Sequence, residues 1–175
     1  MKLRHNLIAL ASLALTVPAS ATLPIPPQAA ATQQAQPFLF YAGAGDAFEI
    51  TSSMILLSKS TNPEVRAFAS MLIDHHTRTT NLALANAKAS GVMAPPPEMS
   101  AMQKGMIGAL HGAAPAAIDR LYLQQQVPAH QQALFLMSGY ARSGDVPTLR
   151  QTAQSAVPIV QGHLAQAQSL LRMAR

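Results

Sequence analysis

The chain has 175 residues, 49% of them hydrophobic, and a formal net charge of +5. It contains no cysteine, which excludes disulfides and thiolate chemistry and leaves histidine, carboxylate and methionine as metal-binding side chains. Its charged residues are scattered singly among few aromatics, so no nucleic-acid partner is expected.

Residues 1–21 read as a secretory signal peptide: a basic head (Lys2, Arg4), an apolar run from Leu7 to Val17, and the small-residue ending Ala19-Ser20-Ala21. The run is too short to cross a bilayer, which takes about 20 apolar residues. A periplasmic or secreted protein is predicted, cleaved near Ala21 and without a transmembrane segment in its mature form. Residues 22–36 carry Pro24, Pro26 and Pro27 among Ala and Gln, the composition of an extended tether that does not pack. Residues 37–175 are then predicted to form one domain.

Within that domain the apolar spacing is helical. A first helix is predicted from about Phe38 to Lys59, with Gly45, Phe48, Ser52 and Ile55 in register and Glu49 beside them. Asn62 is placed as an N-cap, with Pro63 and Glu64 opening a second helix to about Ser90. Gly91 and Pro95-Pro96-Pro97 end it. A short, Met-rich helix follows over Glu98–Gly112, weakened by Gly105 and Gly108 at about 1 kcal/mol each relative to Ala. Its Met99, Met102, Met106 and Leu110 recur at helical spacing and read as a core stripe, in preference to a thioether copper site. A third long helix covers about Pro115–Arg142. "SGD" then supplies a stop and an Asp145 cap for a fourth, from Val146 to near the end. Pro128 and Pro158 fall inside these two helices, where each removes a backbone hydrogen bond. No stretch alternates with period two. The fold class is therefore all-α: an antiparallel four-helix bundle with a short extra helix between helices 2 and 3.

The polar residues on the apolar stripes are the informative ones. In such a bundle the joins near Asn62 and Gly144 share one end. At 1.5 Å per residue, Glu49, His76, His130 and His163 lie roughly 18, 21, 21 and 28 Å from it. One ligand-type side chain per long helix thus falls within two turns of the others. The set suits a single Zn, Cu or Fe ion, because imidazole serves all three. His75 and Asp74 are further candidates, Asp74 as a carboxylate holding a ligating ring. His75 points about 100° away from His76 around the helix, which places one of the two toward solvent. Tyr122, Gln126 and His130 share a face and suit a hydrogen-bond ladder, and Glu49 could instead be a buried carboxylate bonded to Tyr122 or a histidine. No catalytic residue is assigned: HExxH, a nucleophile elbow and a cysteine nucleophile are all missing from the sequence. The alternative to a metal site is a metal-free module for interaction or stress response in the cell envelope, with an unknown envelope protein as partner.

The segments "AGAGDAFEI", "NPEVRAFASMLIDHHT", "LYLQQQVPAHQQALFL", "SGDVPTLRQTA" and "VPIVQGHLAQAQ", in this order, resemble the exported bacterial family named domain of unknown function 4142. The resemblance implies a ferritin-like bundle over about Pro37–Leu171. His76, Glu49, His130 and His163 match residues of that family's four helices. His75 stands where an acid is common, Thr80 where an Asn follows the histidine, and Thr51 where a second Glu is frequent. Ferritin-like di-iron sites take a Glu-x-x-His from each of two helices. Ile73, Val127 and Val160 stand three residues before His76, His130 and His163, so no di-iron carboxylate centre is expected.

Overall fold

The computed structural model describes residues 25–174, so the leader expected over 1–21 lies outside the described residues. Five α-helices account for most of the described residues: α1 (Ala35–Lys59), α2 (Pro63–Ala89), α3 (Ala101–Gly112), α4 (Pro115–Ser143) and α5 (Pro147–Met173). No strand occurs among the described residues. None of their helices is long and apolar enough to cross a membrane.

The helix ends follow local chemistry. Asn62 Oδ1 accepts from the backbone N–H of Glu64 (3.0 Å) and Val65 (3.3 Å), so α2 starts at the expected cap. Its far end is a Schellman turn. Gly91 adopts φ +69°, Gly91 N–H donates to Lys88 O and Val92 N–H to Ala87 O. A capping box between Ser100 and Gln103 opens α3, three residues later than expected. The expected Asp145 cap on α5 is not formed. Asp145 instead accepts from the Tyr140 hydroxyl at 2.9 Å, and Val146 occupies the cap position without a side-chain bond. The last two helices continue across Pro128 and Pro158 without a break.

The long helices pack pairwise, α1 on α2 and α4 on α5, with α1 also against α4 and α2 against α5; α3 lies on α1 and α4. Lys59 Nζ fixes α3 by donating to three carbonyls at its C-terminal end, those of Leu110, His111 and Ala113. The core falls into two apolar clusters. One gathers Leu56, Phe68, Leu72, Tyr122, Leu123 and Ala167. The other gathers Phe38, Ala87, Met137, Tyr140, Leu149 and Val160. On every long helix a polar stretch separates the residues of the two clusters, and it carries Glu49, His76, His130 and His163.

Two expectations are corrected here. The Pro-rich segment is not an extended tether throughout 22–36: Gln28–Thr32 form a 3-10 helix, Ala31 is buried, and Pro26 O accepts from the Tyr41 hydroxyl at 2.7 Å. Gly139 makes this packing possible, since a Cβ there would collide with Thr32. A short 3-10 helix of five residues needs only a small apolar contact to dock, and the buried Ala31 supplies it. The core stripe on α3 holds only in part: Leu110 is fully buried and Met99 and Met106 are half-buried, but Met102 is exposed, and Ile107 packs on the core beside Leu110 instead.

Candidate metal centre

His76, His130 and His163 come together in the polar layer, each offering one ring nitrogen such that all three lie within 4.8 Å of one another. Their ring centroids are 5.3–5.9 Å apart. All three are buried, as is Glu49. Glu49 stands beside the trio, not within it: its Oε1 is 3.8 Å from His130 Nδ1.

The other nitrogen of each ring is tied down. His76 Nδ1 donates to Asp46 Oδ1 at 2.7 Å, and Thr80 Oγ1 donates to the second oxygen of that carboxylate at 2.5 Å. His130 Nδ1 donates to the Gln126 carbonyl at 2.9 Å. A carbonyl only accepts, so that nitrogen carries the proton and His130 Nε2 is a lone pair. The same logic leaves His76 Nε2 as a lone pair when Asp46 is ionised. His163 Nε2 pairs with His75 Nδ1 at 2.8 Å, the two rings stacked at 23°. Such outer partners fix ring orientation and tautomer in metal-binding histidines.

What remains is unpartnered. Seven buried side-chain polar atoms lack a hydrogen bond among the described residues, and four are Glu49 Oε2, His76 Nε2, His130 Nε2 and His163 Nδ1. Buried polar groups are normally paired, and an orphan calls for an ion or a water. Here each expected ligand contributes one.

The electrostatics suit a cation. Burial pushes the Glu49 carboxyl up to about 7, against the opposing charge of His76 and a hydrogen bond from Gln126. Burial pushes His130 down to about 4. His163 falls to about 3, through burial and then the charges of His130, His76 and His75. For His76, burial acts downward but is outweighed by the hydrogen bond to Asp46 and the charges of Glu49 and Asp46, so its value is raised. Two of the rings are therefore neutral, competent ligands at neutral pH.

The expected residues divide as follows. The three histidines converge, and Glu49 is adjacent. His75 bonds His163 from outside the trio. Asp74 is exposed and paired with Arg78 at 2.9 Å, so it does not hold a ligating ring. Its neighbour His76 is served instead by Asp46, which the sequence reading did not single out. Asp46 lies three residues before Glu49, on the same face of α1, and that spacing was the available signal. The ladder exists in altered form: Tyr122 bonds Ser53 (2.7 Å) and not Glu49, and Gln126 Nε2 donates to Ser52 (3.1 Å). His111 is exposed.

A helical protein with a buried, tethered histidine trio between two apolar clusters is the class that fold and site define. The family model described as Domain of unknown function (DUF4142) matches residues 20–170, and the chain belongs to that family. No curated protein and no solved structure matches it.

Proposed function

We propose that this exported protein binds one transition-metal ion, Zn, Cu or Fe, through His76, His130 and His163, with Glu49 as the fourth donor. The frame is an antiparallel four-helix bundle of the ferritin-like type, supported by the two hairpins α1–α2 and α4–α5 and their mutual packing. The observation that carries the reading is the orphaned donor set: one buried, unpartnered atom on each of the four side chains. An unsatisfied buried polar group costs about 1–3 kcal/mol. Three of them on converging rings, with the orphaned Glu49 carboxylate oxygen beside them, make sense if a cation occupies the space between the rings.

The role is binding or buffering in the cell envelope and not turnover. The ligands are buried, and the cavity beside them is lined by Phe38, Leu39, Met137 and the Asp46–Thr80 pair, with no ligand histidine at its wall. The test is metal content by mass spectrometry of the mature protein, purified from the periplasm without a histidine tag, together with His76→Ala and His163→Ala. Near-stoichiometric metal, abolished by both substitutions, is expected. No metal in the wild type, with no thermal shift on adding Zn²⁺, Cu²⁺ or Fe²⁺, would refute the reading in favour of a metal-free envelope module.

A further inference from the structure

The outward sides of α4 and α5 carry a pattern that the metal centre does not use. α4 reads QxxxPxxQxxxF over Gln124–Phe135, and α5 reads QxxxPxxQxxxA over Gln154–Ala165. All eight of these residues are exposed. Their alternating spacing of four and three residues is that of the stripe a coiled-coil helix turns toward a partner. The two stripes lie side by side. α4 packs on α5 with His130 and His163 at one level, and each stripe points away from its buried histidine.

This face is neutral. No Asp, Glu, Lys or Arg occurs between Arg120 and Arg142 or between Arg150 and Arg172, so charge is confined to its two ends. Phe135 is 72% exposed, and it is the one exposed ring among the eight Phe and Tyr side chains. Pro128 and Pro158 have no N–H, so the carbonyls of Gln124 and Gln154 lack their intrahelical donor and stand as acceptors on the same side. Glutamine amides both donate and accept. The face is therefore complementary to itself: a second copy brings amides to carbonyls, an aromatic anchor, and no charge to desolvate or repel. A charged partner would find no counter-charge here, and a lipid surface would have to strip the glutamines of water. The neutral stretch of each helix, about 21 residues, is ~31 Å long, and two helices side by side span ~20 Å. That amounts to ~600 Å² per copy and ~1,200 Å² in all, the lower edge of a stable, specific interface.

We propose that this face joins two copies of the chain into a homodimer, with the two-fold axis in the plane of contact. The middle of each face, at Gln131 and Gln161, then lies over the middle of the other. Phe135 stands about one turn from it, in the central zone where interface anchors concentrate. The dimer is independent of the metal centre, whose histidines on α4 and α5 point the other way.

The test is sedimentation equilibrium of the full mature chain as wild type, Phe135→Glu, Gln161→Arg and Met54→Glu, with circular dichroism to confirm folding. Met54, 58% exposed, stands on α1, outside the face. A dimer is expected for the wild type and Met54→Glu, and it should persist in molar salt because no ion pair holds it. Phe135→Glu and Gln161→Arg should each weaken it on the order of thirtyfold, the effect of losing an interface anchor. A wild type still monomeric at about 100 µM, where even a weak specific pair forms, would overturn the inference. So would an open-ended assembly, a dimer that dissolves in salt, one that Met54→Glu breaks, or one that both folded stripe variants leave intact.

Discussion

Glu49→Gln should make the metal-free protein more stable in a pH-dependent way. Glu49 is 4% exposed, and its carboxyl is raised from 4.5 to about 7, chiefly by burial. The folded state therefore binds this proton more tightly than the unfolded chain. Below pH 4.5 both states are protonated and the residue has no pH-linked cost. Between 4.5 and about 7 the unfolded chain ionises first, so stability falls as pH rises, and above 7 the loss is complete. At 1.36 kcal/mol per pH unit, the full shift corresponds to about 3 kcal/mol. Glutamine is close to isosteric and never ionises. The variant should therefore match the wild type within error near pH 4.5 and exceed it by about 3 kcal/mol at pH 8. The assay is urea unfolding of both chelator-treated proteins at several pH values, with m checked for constancy. Saturating Zn²⁺ should reverse the order at pH 8, since binding to the folded state alone stabilises the wild type by mass action. A Glu49→Gln protein that is less stable at pH 8, or a difference that does not change with pH, would refute the account of Glu49 as a buried donor held against its own desolvation.

Two other outcomes are expected. Asp46→Asn keeps the shape beside His76 but lets an amide N–H face its Nδ1, which moves the ring proton to the nitrogen facing the trio. Zn²⁺ affinity should fall about 10–100-fold with the helical content retained, as calorimetry and circular dichroism would show; unaltered affinity would remove Asp46 from the site. Binding should also weaken with acid. Glu49 must lose a proton held up to about 7 and His76 one held above its ordinary value, whereas His130 and His163, at about 4 and 3, are already neutral. Calorimetry at pH 6.5 in buffers of different ionisation enthalpy should show protons released on Zn²⁺ binding, and a flat affinity from pH 5.5 to 8 would contradict it.

The helices and the shared level of the four buried polar residues Glu49, His76, His130 and His163 were legible because both depend on local spacing. Period 3.6 placed Phe48, Leu72, Leu123 and Val160 on inward stripes, and Asn62, Gly91 and the prolines marked the ends. Counting rise per residue from shared joins brought His76, His130 and His163 to one level, since packed long helices of similar length preserve depth. What local spacing cannot carry is direction at the level of single atoms. Asp74 and Asp46 are both acids near His76 in that count. Only the packing of α1 on α2 turns Asp46 toward the ring and leaves Asp74 to Arg78 in solvent. The same holds for His75, whose bond crosses from α2 to α5, and for Met102, which faces out because α3 docks through Leu110 and Lys59. The sequence alone thus determined the all-helical class and the level of the polar layer. Tertiary structure decided which nitrogen is tied, which is orphaned, and which reaches solvent, because a hydrogen bond between helices depends on rotations and offsets that no single helix encodes.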